Sequence, residues 1–251
     1  MNGRQFVRLF AALTVTSGTA GAQPGTEWPI HAKDRPQPPV VAPGNEVLPV
    51  KAPADAVVLF DGKDLSKWMH ADGKPADWVV GDGYFEVKRG AGNLLTRDSF
   101  GDGQLHVEWM APTPVGGEGQ NRGNSGVYVL NRYEVQVLDS YENVTYPDGQ
   151  AAAIYGQYPP SANASRPPGQ WQSYDIFYEG PRWDAAGKLT RPAKITVMHN
   201  GIKVQDNVVL SGPTSHYARP PYEQHPAKMP VLLQDHGDPV RFRNIWIREV
   251  R

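Results

Sequence analysis

Cysteine is absent from the 251 residues. A chain without it forms no disulfides and depends on core burial for its stability; it also lacks the acylated cysteine of a lipoprotein. Charge of one sign is missing as well: 25 Lys and Arg face 26 Asp and Glu, a formal net charge of −1. That balance removes the basic footprint expected of a nucleic-acid-binding protein. No apolar run is long enough to span a bilayer. No repeat of 20–50 residues marks a propeller or solenoid, and no HxH or HExxH spacing marks a metal site. Neither a Ser-His-Asp arrangement nor a phosphate-binding loop can be found. The one cation for which the sequence leaves room is a Ca²⁺-like divalent ion held by carboxylates and carbonyls in Gly/Asp loops.

What is plentiful is Gly (26), Pro (24), Tyr (11) and Trp (7), a composition that favours short strands joined by turns over long helices. Aromatic-rich β proteins often stack sugar CH faces on their rings, although the same rings also fill cores. At the start, Arg4 and Arg8 precede an apolar run from Leu9 to Val15 and the small residues Ala20-Gly21-Ala22. This is the pattern of a secretory signal peptide over residues 1–22, and it points to a bacterial periplasmic or secreted protein. Residues 23–55, with "RPQPPVVAPG", are Pro-rich and aperiodic, and read as an extended linker or a strap over the domain. The globular domain is expected over residues 56–251.

Within it, Val57–Phe60 reads as a strand, "DWVVGDGYFEVKRG" as a hairpin, and Leu94-Leu95 as the end of a short strand. In "GQLHVEWMAP", Leu105, Val107 and Trp109 alternate with His106, Glu108 and Met110. "NSGVYVLNRYEVQVLDS" supplies two strands, and Asn200-Gly201 is a strong hairpin turn. The long Gly/Pro/Ala-rich stretch from Pro147 to Trp171 is the kind of loop that serves a site. A dozen or more short strands with almost no helix predict an all-β, antiparallel two-sheet jelly-roll sandwich.

Side chains two apart on a strand share a face. Four such pairs carry hydrogen-bonding groups: His106/Glu108, Glu134/Gln136, Gln234/His236 and Arg241/Arg243. Their opposite faces include Val107/Trp109, Val135/Val137 and Phe242/Asn244/Trp246, which predicts that the polar faces line one surface. His106 alone reads as a plain surface histidine. The run Glu134-x-Gln136-x-x-Asp139 is similar to the three-acid strand of jelly-roll glucanases, with glutamine in the central place. A conventional retaining glycosidase would then need Glu108 as its second carboxylate, about 5 Å from Glu134.

The segments "VVLFDGKDLSKW", "NSGVYV", "YEVQVLDS", "AAIYGQYPP", "NASRPPGQW", "HNGIKVQDN" and "VLLQDHGDPVRFRNIWIRE", in this order from about Val57 to Arg251, resemble the 3-keto-disaccharide hydrolase family. The resemblance implies a concanavalin A-like jelly roll, exported by bacteria. It also implies cleavage of glycosides whose glucose C3 hydroxyl a separate glucoside 3-dehydrogenase has already oxidised, so the partners are a carbohydrate substrate and that upstream enzyme. A C3 ketone acidifies the C2 proton, and removing it lets the C1 oxygen leave, so this route needs a base, an acid and a donor to the enolate oxygen. On that basis Glu134 is the candidate base, Glu108 or His236 the acid, and Arg243 or His236 the group polarising the C3 oxygen. Gln136, Gln234 and Asn124 are candidates for holding the ring, and Tyr155 and Trp171 for a lid or stacking wall. Two alternatives remain open at this stage: a non-catalytic, lectin-like carbohydrate-binding domain, and a two-carboxylate glycosidase using Glu134 and Glu108.

Overall fold

The computed structural model describes residues 27–250, so the signal-like segment 1–22 lies outside the described residues. Among those described, regular structure is almost entirely strand. The strands are β1 (Val57–Phe60), β2 (Trp68–His70), β3 (Val79–Val80), β4 (Phe85–Glu86), β5 (Leu94–Thr96), β6 (Gly103–Met110), β7 (Ser125–Val129) and β8 (Tyr133–Val137). They continue with β9 (Trp171–Glu179), β10 (Arg182–Trp183), β11 (Leu189–Arg191), β12 (Lys194–His199), β13 (Ile202–Val209), β14 (Leu232–Leu233) and β15 (Arg241–Glu249). Among the described residues only two single-turn 3-10 helices interrupt them, and no helix is long and apolar enough to cross a membrane.

All ladders are antiparallel, and they form a two-sheet jelly-roll sandwich. The larger sheet runs β13-β12-β9-β6-β15-β4-β3, with β1 also paired to β15. The smaller runs β2-β5-β14-β7-β8, and β10–β11 is a separate ribbon. Alternation explains the core between them. Leu105, Val107 and Trp109 of β6 and Tyr174 and Ile176 of β9 point inward from one sheet, Val127, Val129, Val135 and Val137 from the other. All nine are buried, and full burial of a large apolar side chain stabilises by about 1.5–3 kcal/mol. Asn200 (φ 50°) and Gly201 (φ 76°) form the turn between β12 and β13, both in the left-handed region that a two-residue hairpin demands.

Part of the Pro-rich segment lies along the sandwich. Val41 N donates to Asn163 O (3.0 Å) and Gly44 N to Asn200 O (2.8 Å), and Ser173 Oγ bonds Glu46. Val50 N donates to Glu108 Oε1 (2.8 Å) and Val50 O accepts from Asn244 Nδ2 (2.7 Å). Proline cannot donate a backbone hydrogen bond, so a few such tethers hold a long stretch.

Two expectations are corrected by the larger sheet. His106 is a fully buried histidine rather than a surface one, and Glu108 is buried beside it. His106 Nδ1 meets Asp175 Oδ1 at 3.0 Å, its ring stacks on Trp246 at 4.8 Å, and Nε2 lies 3.6 Å from Glu108 Oε1. Burial opposes its protonation, but the hydrogen bond to Asp175 and the nearby Glu108 carboxylate win and raise its pKa to about 9. The second correction concerns β15. The ladder shifts register between Arg243 and Trp246, with Asn244 at φ 45°. This bulge puts Ile245 and Ile247 in the core and turns Trp246 out toward His106, so Trp246 does not share the face of Phe242.

Candidate active site

The hairpin β7–β8 carries the candidate site on its outward face. Its register sets Gly126 opposite Gln136 and Tyr128 opposite Glu134. Val127 and Val135 fill the core, so the alternate residues turn outward from the smaller sheet. Gln234 follows β14, whose Leu233 pairs with Val127, and therefore reaches the same face. Beyond β8, the Gly/Pro/Ala-rich loop continues the sheet irregularly. Ala152 N donates to Gln136 O (2.9 Å), Gln136 N to Ala153 O (3.0 Å) and Tyr155 N to Glu134 O (3.4 Å). This pairing brings Tyr155 beside Glu134. From the stretch before β14, Thr214 Oγ1 accepts from Glu134 N (2.9 Å) and brings Ser215 and His216 to the rim.

Together these segments enclose a pocket of about 180 Å³ lined by Asn124, Tyr128, Glu134, Gln136, Tyr155, Thr214, Ser215, His216, Gln234 and His236. Asn124, Glu134, Gln136 and Tyr155 are buried at its floor, while His216 and His236 are exposed at its mouth. It is smaller than the roughly 300–1,000 Å³ clefts that take drug-sized ligands, which suits a single sugar ring.

Electrostatically the floor is set by Glu134. Burial pushes its pKa up to about 8, opposed only by a hydrogen bond from the Tyr128 phenol. The Gln136 amide, with its nitrogen turned toward them, donates to Ser125 O (3.0 Å) and Glu134 Oε1 (3.2 Å). Gly126 leaves the room: a Cβ there would stand 2.4 Å from Glu134 Oε1. Tyr155 Oη lies 2.7 Å from Tyr146 Oη and 2.9 Å from His216 Nδ1. Burial raises the Tyr155 and Tyr128 pKa values well above the usual phenol value, so both hydroxyls remain donors. Partial burial, followed by the nearby His31 and His236, lowers the His216 pKa.

Six residues singled out from the sequence therefore meet in one pocket: Glu134, Gln136, Gln234, His236, Asn124 and Tyr155. Glu108, Arg243 and Trp171 do not. They sit on the outward side of the larger sheet, across the hydrophobic core, so the polar pairs line two surfaces instead of one. Arg243 Nε donates to Glu108 Oε2 (2.6 Å), Asn244 Nδ2 to Glu108 Oε1 (2.8 Å), and the Arg243 guanidinium lies 4.1 Å over the Trp171 ring. Burial is overridden by the nearby His106 ring and by the donors from Asn244, Arg243 and Val50, which keep the Glu108 pKa below its usual value. Glu108 thus cannot pair with Glu134 as the second carboxylate of a retaining glycosidase. A larger depression of about 1070 Å³, also along the larger sheet, is lined by Phe177, Arg182 and Arg248 among others. Its Arg182 and Arg248 are committed to Asp102 and Asp55. Among the described residues no group of three or more His, Asp or Glu is disposed to hold a metal ion.

The geometry can be set beside known proteins. The model of the 3-keto-alpha-glucoside-1,2-lyase-like domain matches residues 55–248. The chain belongs to the 3-keto-alpha-glucoside-1,2-lyase-like family. A curated relative, the 3-keto-disaccharide hydrolase of Bacteroides thetaiotaomicron, is 24% identical over 259 aligned positions, covering 81% of this chain and 82% of that one. A crystal structure of a proposed glycosyl hydrolase from Parabacteroides distasonis is 45% identical, with a TM-score of 0.79, covering 86% of this chain and 93% of that one. Another from the same organism is 25% identical with a TM-score of 0.58, covering 78% and 99%. The pocket lies wholly within the family's span, whereas residues 27–54 of the strap precede it.

Tyr128, Thr214, Ser215 and His216 were not singled out from the sequence. Tyr128 was legible in principle, being two residues from Gly126 on the outward face. His216 was not, because it stands in an aperiodic Gly/Pro-rich stretch that offers no face to count.

Proposed function

We propose that the pocket cleaves 3-keto-glycosides, with Glu134 abstracting the C2 proton, and that the net reaction is hydrolysis. The observation that carries this is Glu134 itself: a single carboxylate, buried at the floor of a one-ring pocket, with a pKa near 8 and amides and phenols around it. An elevated pKa makes a stronger base than an ordinary carboxylate, and general-base efficiency improves as the pKa approaches the working pH. The family and its named relatives support a hydrolase acting on sugars. The lone carboxylate favours elimination over a two-carboxylate displacement.

In the first step the C2–H bond breaks, its proton passes to Glu134, and the electron pair forms an enolate on the C3 oxygen. A hydrogen-bond donor at that oxygen is worth about 3–4 kcal/mol in comparable sites. Gln234, Asn124 and the exposed His236 are the candidate donors, now that Arg243 lies elsewhere. The enolate collapses, the C1–O bond breaks, and the aglycone oxygen takes a proton. Either His236 or the Tyr155–His216 pair stands where it can supply one. Water then adds across the C1=C2 bond, hydroxyl to C1 and hydrogen to C2. The C3 ketone must be supplied by an oxidoreductase acting on the parent glycoside.

The test uses 3-keto-trehalose or a 3-keto-glucoside in deuterium oxide. The aglycone should be released and deuterium should enter C2 faster than in enzyme-free controls, while a plain p-nitrophenyl glucoside stays intact. Release from the 3-keto substrate with no label at C2 would falsify elimination. Because the base must be ionised, kcat/KM should rise about tenfold per pH unit and level off near pH 8. A profile already flat from pH 5 removes Glu134 from that role. Gly126→Ala gives a second check. The added Cβ displaces the Glu134 carboxylate, and a displacement of about 1 Å can cost about 10²-fold in rate. A variant that folds and retains wild-type kcat/KM contradicts the assigned geometry.

A further inference from the structure

The strap precedes the family domain, yet one of its side chains reaches the back of the pocket. His31 Nε2 donates to the backbone carbonyl of His216 (2.7 Å); a carbonyl only accepts, so Nε2 carries the hydrogen. The other ring nitrogen faces Asp148 Oδ1 at 3.6 Å, and His31 N donates to Asp148 Oδ2 (3.1 Å). Asp148 is fully buried. The His31 ring also packs on Tyr146, centroids 3.9 Å apart, and stands 5.3 Å from that of His216. Next to it, both terminal nitrogens of Arg219 donate to Trp28 O (3.1 Å each), and Arg219 Nε to Gly156 O (3.0 Å). The segment bearing His216 is thus clamped between the strap and the loop bearing Tyr155. His31 holds φ 60°, a left-handed conformation that a residue with a Cβ keeps only where its surroundings over-determine it.

We propose that His31 is a positioning residue of this site. By holding the His216 carbonyl from behind, it fixes the His216 imidazole against the Tyr155 hydroxyl before the sugar enters, so the strap is a working part of the pocket. The effect on turnover rests on the pocket being catalytic as proposed above; the effect on the His216 ring does not.

The experiment compares His31→Asn with His31→Gln in the full chain. Asparagine tolerates the left-handed backbone but is too short to reach the carbonyl, whereas glutamine restores a donor near the position of Nε2. His31→Asn should lower kcat on a 3-keto-glucoside by about tenfold or more with KM within about twofold, and His31→Gln should recover most of the loss. Independently of turnover, the ¹⁵N resonance of His216 Nδ1, which reports its bond with Tyr155, should shift in His31→Asn and return in His31→Gln. The proposal is overturned if the His216 resonance is unmoved in His31→Asn, or if both variants are equally impaired. If the wild-type protein turns over no 3-keto-glycoside, the catalytic reading falls, and the His216 resonance alone decides on His31.

Discussion

Glu134→Gln is expected to lower kcat on a 3-keto-glucoside by about 10²–10⁴-fold, the range for removing a general base, and to abolish deuterium entry at C2. Affinity for the sugar should change little, because glutamine has the same shape and keeps an acceptor oxygen. A lectin-like domain would share the unchanged affinity but show no turnover in either protein. Wild-type turnover surviving in Glu134→Gln would assign the base elsewhere. The same substitution makes a prediction about stability. In the unfolded chain the carboxyl titrates near its ordinary value of 4.5, in the folded protein near 8. Folding therefore takes up a proton between those values, and wild-type stability falls as the pH rises through that window. Glutamine removes this dependence. The variant should match wild type near pH 4, become progressively more stable from about pH 5 to 8, and keep a constant advantage above that. Denaturant melts at pH 4, 6 and 8.5 measure the difference, and a gap that does not widen with pH contradicts the burial of an ionisable Glu134.

The second large effect is expected far from the pocket. Arg243→Ala removes one partner of Glu108, whose side chain is fully buried. Leaving a buried charge without its partner costs about 3–5 kcal/mol. We place Arg243→Ala near 3 kcal/mol, because 22% of the arginine side chain remains exposed and Asn244 and Val50 still donate to the carboxylate. In a domain of this size that corresponds to a fall in Tm of about 6–12 °C. Below that temperature kcat should stay near the wild-type value, because Arg243 lies across the core from Glu134. Arg241→Ala is the control. Its pair with Glu86 is more exposed, 39% and 25%, and surface pairs contribute only about 0–1 kcal/mol. A stable Arg243→Ala that has lost turnover would return Arg243 to the active site.

These two predictions mark where the sequence could be read and where it could not. Alternation in β6 and β8 correctly assigned Val107, Trp109, Val135 and Val137 to the interior, and Asn200-Gly201 announced its hairpin, because both signals are local. Alternation also gave the outward faces of Glu134/Gln136 and His106/Glu108. It could not say that β8 and β6 belong to opposite sheets, since strand partners are set by contacts distant in sequence. The burial of His106 and Glu108 was illegible for the same reason: Glu108 is met by Val50, 58 residues before it, and His106 by Asp175 and Trp246. On β15 a period of two was carried through a bulge at Asn244, a single left-handed asparagine with nothing in its neighbours to announce it. The placing of His216 depends on tethers between its own segment and distant parts of the chain: Thr214 to Glu134, Arg219 to Trp28 and Gly156, and the His216 carbonyl to His31.

The pairing of residues 152–155 with β8 has a consequence for how such a protein can vary. β8 is the last strand of its sheet, and an uncovered last strand offers its backbone to other molecules as a template for aggregation. The loop that delivers Tyr155 therefore also caps that margin, so lengthening or deleting it would expose sticky backbone as well as dismantle the pocket floor. The stretch bearing His216 forms no such ladder. Change in which sugars the family accepts should accumulate there, where a new rim can be tried without unsealing the fold.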